Sequence, residues 1–316
     1  MNLKGKIILL AAVSTVLIAL FLLIDLNGSW DYAFPRRVKK VLAIVMTGGA
    51  IALSTMVFQT VTNNRILTPS VMGLDSLYML IQTTVIFVFG SFTLYQMGAN
   101  ANFLINVCLM VIFSGILYKM LFRREGSRSI FFLLLIGMIF GTLFSSMTSF
   151  MEVLIDPNEF QFVSDKMFAS FNNVKTELLL IAGIVMAAAL LYFARFAKYL
   201  NVISLGREQA INLGVPYDYA VKRLLIVVAI LISAATALVG PITFLGLLVV
   251  NVAYEWMKTY RHSYLITASI LISVIALVGG QLVVERVFTF STTLSVIINF
   301  IGGVYFIYLL LKESKA

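Results

Sequence analysis

Few residues in this chain have the chemistry to react or to bind a metal, and they do not cluster. Among 316 residues there is a single histidine, His262, a single cysteine, Cys108, and 14 acidic residues. Cys108 lies inside an apolar run without a disulfide partner, and no C-x-x-C or histidine cluster offers a metal site. No G-x-x-x-x-G-K-[ST] or G-x-G-x-x-G phosphate cradle occurs, and no two carboxylates share a buried helix face. The chain is therefore expected to hydrolyse nothing itself and to carry no cofactor. His262 follows Lys258 and Arg261 at a helix junction and reads as solvated or facing lipid headgroups rather than catalytic. Glu285 and Arg286 at a helix end read as a snorkelling arginine with a local ion pair. What remains are polar side chains inside apolar segments: Gln59, Gln82, Thr142, Ser145, Ser146, Ser295 and Asn299. They either line a path across a membrane or bond to neighbouring helices, and both readings stay open. Ionisable residues, the mark of a proton or sodium relay, are nearly absent from the middles of these segments.

The elements that must position these residues are membrane spans. A chain that is 61% hydrophobic and 12% charged has too little polar surface for a water-soluble globule. Its net charge of +9 is spread through short loops, which encodes orientation rather than nucleic-acid binding. The apolar runs predict an all-α polytopic protein, one transmembrane domain over residues 1–316, with ten spans. They are Ile7 to Ile24, Val38 to Phe58, Leu74 to Tyr95, Ala101 to Leu121, Ile130 to Phe150, Leu178 to Phe196, Leu224 to Val239, Phe244 to Met257, Leu265 to Val284 and Leu294 to Leu311. The first run is followed by Asp25-Leu26-Asn27-Gly28 rather than a small-x-small cleavage site, so it is expected to stay as a span. Ten spans put both termini on one side. On that reading Arg36, Arg37, Lys39, Lys40, Lys166, Lys175 and Arg286 face outward, and every other lysine and arginine, including Arg123, Arg124 and Arg128, faces the cytoplasm. Four positive charges before the second span violate the orientation rule, and capture of an acidic partner is the simplest use for them.

Two connections stand out. The longest outer break, Met151 to Glu177, carries Phe160, Val163, Met167, Phe168 and Phe171 at helical spacing and predicts an amphipathic helix along the membrane surface. On the inner side, Ala197 to Arg223 holds two helix-sized pieces separated at Gly214-Val215-Pro216. Ser204 is placed to cap the first through an S-x-x-E/Q pattern reaching Glu208, Gly214 ends it, and Pro216 opens the next. Such a helix-turn-helix is either a docking element or an ordinary interfacial loop. Pro241, within Gly240-Pro241-Ile242-Thr243-Phe244, must break the helix between two closely spaced runs. Gly137 and Gly141 form a small-xxx-small pair suited to close helix packing.

Several motifs carry a resemblance. Arg37-x-x-Lys40-Val41-Leu42-Ala43, then Gly48, Ser54, Gln59, Thr62, Asn63-Asn64-Arg65-Ile66-Leu67-Thr68-Pro69 and Gly73 resemble the R-L-P-R…G…S…Q…T-R-N-P-L-A-x-P…G run of iron-siderophore and vitamin B12 ABC importer permeases. Leu205-Gly206, Ala210, Leu213-Gly214-Val215 and Gly240-Pro241-Ile242-x-Phe244-x-Gly246-Leu247 are similar to that family's L-G…A…L-G-V…G-P-I-x-F-x-G-L signature. The run Ile301-Gly302-Gly303-Val304-Tyr305-Phe306-Ile307-Tyr308-Leu309-Leu310 is similar to its ending. The chain departs from the family at Val249-Val250-Asn251, where V-V-P-H is usual, at Ser291-Thr292-Thr293-Leu294-Ser295 and at Asn63-Asn64-Arg65. With TNNRILTPSVMGLDSLY, these departures resemble the branch that imports ferric catecholate siderophores such as petrobactin.

The resemblance implies ten helices per permease, with two permeases per transporter, here a heterodimer in preference to a homodimer. It implies a cytoplasmic ATPase dimer gripping Ser204, Leu205, Gly206, Arg207, Glu208, Ala210, Leu213 and Gly214. It implies an external siderophore-binding protein docking on Arg37, Lys40 and Arg286. Gln59, Thr142, Ser145, Ser146, Ser295 and Asn299 are then the candidates for the translocation path. The rival classes are a stand-alone secondary transporter or channel, against which the scarcity of buried carboxylates speaks, and a structural membrane scaffold.

Overall fold

In a computed structural model, residues 2–24, 30–122, 130–172, 174–289 and 292–313 are described. All regular structure among them is helical. In chain order the helices are α1 (Leu3–Leu23), α2 (Trp30–Thr62), α3 (Leu74–Gln96), α4 (Ala99–Phe122), α5 (Ile130–Leu154), α6 (Pro157–Met167) and α7 (Thr176–Ala194). They continue as α8 (Leu200–Ile203), α9 (Arg207–Asn212), α10 (Tyr217–Val239), α11 (Leu245–Met257), α12 (His262–Arg286) and α13 (Leu294–Glu313). Nine are long and apolar enough to cross a bilayer, and α11, at 13 residues, is a shorter apolar tenth. Nine of the ten expected spans are thus matched by helices of crossing length, and the remaining one by the shorter α11. The predicted second span grows at both ends into the 33 residues of α2, because the helix continues through Pro35 and the basic residues beyond the apolar zone. Arg123, Arg124 and Arg128 lie outside the described residues.

Helices α2 and α10 form the interior, while α1, α5 and α13 expose most of their surface. Close approach at glycines makes this possible. Gly48 of α2 lies under Ser273 and Leu277 of α12, and Gly246 of α11 lies against Thr55 of α2. The Gly137 and Gly141 pair does bring backbones together, but the partner is a turn rather than a second helix. A Cβ at Gly137 would sit 2.7 Å from Cα of Met72, and one at Gly141 would sit 3.2 Å from Cα of Gly73. Both contacts belong to the short 3-10 turn Pro69–Met72 and its left-handed Gly73 (φ 78°). The chain from α2 to α3 has therefore folded back into the bundle instead of staying at its surface.

The bundle has two polar ends. At one, Lys6 Nζ donates to the carbonyl of Trp256 at 2.6 Å, and α8 packs beside the first turn of α12 with α9 following it. At the other, the end of α1 meets the start of α2 and the end of α12. Since α13 returns from this far end, the start of α1 and the end of α13 lie at the α8–α9 end. The outer break forms α6 as expected, with Asp156 capping it through the Asn158 amide at 2.8 Å. Only part of its predicted stripe is inward: Val163 and Phe171 are buried, whereas Phe160, Met167 and Phe168 are exposed. The carboxylate of Glu159 on α6 accepts from Ser91 N (2.6 Å) and Ser91 Oγ (2.9 Å), where α3 bends at a non-helical Gly90.

Replacing Gly137 by leucine forces a side chain into the Met72 backbone. It is expected to lower stability by about 1–3 kcal/mol, read as a fall in the thermal unfolding midpoint of the purified chain in detergent; Gly115→Leu, which has open space around it, is the control expected to change little.

Candidate functional site

The stretch between α7 and α10 forms two short helices joined by a sharp corner. Gly206 holds φ 99° and is the residue from which α9 starts, so the predicted capping role of Ser204 is not realised. Ser204 instead ends α8 and donates its hydroxyl to Asn201 O at 2.9 Å. Glu208 stands four residues after Ser204 rather than the three an S-x-x-E box needs, and the positive-φ glycine directly before the helix moves its start two residues downstream. The exit from α9 matches expectation. Gly214 (φ 80°) donates to Ile211 O at 2.9 Å and Val215 N to Ala210 O at 3.0 Å, the paired bonds of a Schellman end. Pro216 then precedes α10.

This geometry sorts the predicted coupling residues. Leu205, Arg207, Glu208, Leu213 and Gly214 are exposed, Ser204 and Gly206 are half-buried, and Ala210 is fully buried, anchoring the hairpin rather than presenting a surface. Leu205, Ile211 and Leu213 are 55%, 43% and 63% exposed, an apolar patch at a polar end of the molecule. Arg207 pairs with Asp218 at 3.3 Å, but both side chains are more than half exposed, so the pair adds little stability.

The hairpin is tied to the bundle by the residue read from sequence as solvated. His262 is only 5% exposed. Its backbone N–H and ring Nδ1 both face Asn201 Oδ1, at 3.0 and 2.8 Å, and its Nε2 lies 2.8 Å from the Thr60 hydroxyl. A proton on Nδ1 satisfies Asn201 and leaves Nε2 for Thr60. One imidazole thus joins α8, α12 and α2.

At the far end the three predicted docking residues converge. Arg37 Nη1 donates to the terminal carbonyls of α1, to Phe21 O and Leu22 O at 3.3 Å each and also to Ile24 O. Arg286 Nη2 reaches the same Ile24 carbonyl at 3.4 Å. Cations at a helix C-terminus offset its dipole and its unpaired carbonyls. Lys40 forms a 2.6 Å ion pair with Glu285, whose Oε1 also accepts from Gln281 at 2.9 Å. The expected local pair of Glu285 with Arg286 is therefore replaced by one between helices, and Lys40 is held inside the chain. Among the other positives expected to face outward, burial pushes the Lys166 ammonium below the usual lysine range, against the opposing pull of Asp165.

The six path candidates fall into three separate groups. Gln59 is buried and donates to Arg65 O at 2.6 Å, closing the turn after α2. Thr142, Ser145 and Ser146 lie on the exposed face of α5, with Ser145 donating to Ser76 at 3.0 Å. Ser295 is buried beside Thr293, and Asn299 Oδ1 accepts from Phe244 N at 3.4 Å. Among the described residues no hydrogen bond links one group to another. Sequence reasoning passed over Asp75, which sits in a polar cavity between helices. Its signal was available in the Thr68-Pro69-Ser70 and Gly73 break just before it, which sets the carboxylate apart from the apolar run that follows.

A helical membrane bundle with interrupted spans and an apolar-tipped hairpin at one end has the architecture of a multi-pass transport permease. The chain belongs to the FecCD transport family, which matches residues 7–312. It is 67% identical over 311 residues to the petrobactin import system permease protein YclO of Bacillus subtilis (strain 168), covering 98% of each chain. It is 36% identical over 280 residues to the petrobactin import system permease protein FatC of Bacillus anthracis, covering 88% of this chain and 78% of that one. Its fold superposes on a solved inward-facing structure described as a metal-chelate type ABC transporter, with a TM-score of 0.85 at 19% identity over 98% of this chain and 100% of that one. Family membership favours a driven permease over the stand-alone transporter or channel.

Lys40→Ala leaves Glu285 mostly buried and unpaired. It is expected to cost about 3 kcal/mol of stability, measured by unfolding in detergent, and Lys40→Met combined with Glu285→Leu is expected to recover most of that loss.

Proposed function

We propose that this chain is one permease half of an ABC importer that carries an iron(III)-siderophore complex, petrobactin or a related catecholate, across the cytoplasmic membrane. The observation that carries the proposal is the 67% identity with a petrobactin permease over almost the full length of both chains. Energy comes from a separate cytoplasmic ATPase dimer. The hairpin of α8 and α9 is its seat: Leu205, Ile211 and Leu213 supply apolar contact, with Arg207 and Glu208 at the rim. Movement of the seat reaches the spans through Asn201, His262 and Thr60. Both termini then lie in the cytoplasm, since they share the hairpin's end.

The opposite end receives the siderophore-binding protein, with Arg37 and Arg286 nearest the rim and Lys40 holding the rim together through Glu285. A second permease, different from this one, packs against the exposed helices. The curated relatives include both a FatC and a FatD petrobactin permease from Bacillus anthracis, which supports a heterodimer. Thr142, Ser145 and Ser146 on the exposed face of α5 would then border the space between the two permeases, with Ser295 and Asn299 behind the break that precedes α11. Gln59 serves the fold more than the path, since its amide nitrogen is committed to Arg65.

Two measurements test this. Leu205→Glu with Leu213→Glu is expected to abolish co-purification of the ATPase while leaving the permease folded; undiminished co-purification would show that the hairpin is not the seat. A strain lacking the chain is expected to lose growth on petrobactin-bound iron and keep growth on free ferric citrate, and loss of neither would refute the cargo. At the outer end, Arg37→Glu with Arg286→Glu is expected to weaken binding-protein docking more at low than at high ionic strength, because a rim contact of this kind is screened.

A further inference from the structure

Two pairs of cations flank the hairpin, one at the end of α7 and one at the start of α10, and each ends an apolar stripe. On α7, Leu180, Ile184 and Leu191 are 63%, 62% and 78% exposed and stand at intervals of four and seven residues, so they share one outward face. Arg195, four residues past Leu191, continues that face just beyond the helix, and the exposed Lys198 follows in the short turn Ala197–Tyr199. Helix α10 is buried around most of its circumference. Past Asp218, its open positions as far as Ile230 are Tyr219, Lys222, Arg223, Ile226 and Ile230, a single stripe at helical spacing.

Aromatic rings join the two stripes. The Phe196 ring centroid lies 5.2 Å from that of Tyr192 and 5.9 Å from that of Tyr219, and Arg223 Cζ lies 5.2 Å from the Tyr219 centroid. Arg223 is six residues, about 9 Å, inside the start of α10. Its guanidinium nevertheless reaches back over a ring one turn nearer the hairpin, as a long cationic side chain does at the edge of hydrocarbon. Tyrosines beside cations at this level mark a membrane interface. None of the four cations has an ion-pair partner among the described residues. Asp218, four residues before Lys222, pairs with Arg207 instead.

We propose that this surface holds an anionic phospholipid, with its phosphate at Arg195, Lys222 and Arg223, Lys198 at the edge, and its acyl chains along Ile184 and Leu191 of α7 and Ile226 of α10. Cations at a bilayer surface gain from anionic headgroups, and the apolar stripes leading away from them gain from acyl chains. A phospholipid supplies both in one molecule, whereas a soluble acidic partner supplies only the first. Orientation in the membrane depends on how many cations lie on this side; it does not require that they end two apolar stripes or be bridged by rings. The site needs only that this end of the bundle meets a bilayer, so it is independent of the cargo and of the ATPase.

Native mass spectrometry of the full chain, released from nanodiscs of phosphatidylglycerol and phosphatidylcholine in equal parts, tests it. The chain is expected to retain phosphatidylglycerol in preference. Arg195→Gln with Lys198→Gln, and separately Lys222→Gln with Arg223→Gln, are each expected to lower that preference by about fivefold or more. Lys258→Gln with Arg261→Gln, on the α11–α12 connection, is the control expected to keep it. The thermal midpoint is expected to be higher in phosphatidylglycerol than in phosphatidylcholine nanodiscs, with the difference reduced in both double variants and unchanged in the control. Equal retention of the two lipids by the folded chain overturns the proposal, as does a preference that survives both double changes or falls as far in the control. Loss of co-purifying ATPase with the lipid preference intact also overturns it, since the cations then belong to the ATPase seat. Should one double variant fail to fold, the other decides the matter, because each removes one side of the site.

Discussion

Inside hydrocarbon no water is at hand to satisfy a backbone N–H or C=O, and the rest of this structure follows from how the chain meets that constraint. Helices meet it alone. The chain nevertheless breaks its helical order within the bundle between α2 and α3 and between α10 and α11, and at each of these breaks side chains or neighbouring backbone take over the missing bonds. Gln59 and Asn251 both donate to Arg65 O, at 2.6 and 3.0 Å. Asn299 accepts from Phe244 N, and Ser170 N donates to Val239 O at 2.8 Å. These polar side chains are therefore part of the scaffold. The bond that Asn251 makes to Arg65 O shows what an amide does at that place.

Small residues make the same economy possible. Gly240 holds φ 103° and lets Ala169 approach so closely that a Cβ would sit 3.0 Å from its Cα. Gly73 and Gly141 do the equivalent at the α2–α3 segment. Each broken segment is held by polar bonds and a glycine contact, a combination that gives a defined position without a regular helix.

How far this was legible in the sequence depended on the range of the interaction. Span positions followed from runs of apolar residues, and the Gly214 end of the hairpin and the Pro241 break followed from local backbone preference. The cap at Ser204 failed because Gly206, two residues on, adopts a conformation that the S-x-x-E pattern does not register. His262 was misread because its partners Asn201 and Thr60 are 61 and 202 positions away. Lys40 was taken as a free rim charge because its partner Glu285 is 245 positions away. Asp75 was overlooked since a carboxylate at the edge of an apolar run looks superficial until the preceding segment is seen to turn inward. Pairings between distant helices leave no periodicity behind.

The two interhelical ties on α2 have a joint consequence. At one end Thr60 meets His262, and at the other Lys40 meets Glu285; between them Gly48 lets α12 lie against α2 near Ser273 and Leu277. Sliding α12 along α2 would break both ties at once, whereas tilting the two together breaks neither. The pair is thus a stiff rod clamped at top and bottom, and a push on one tip is felt at the other as a change of angle.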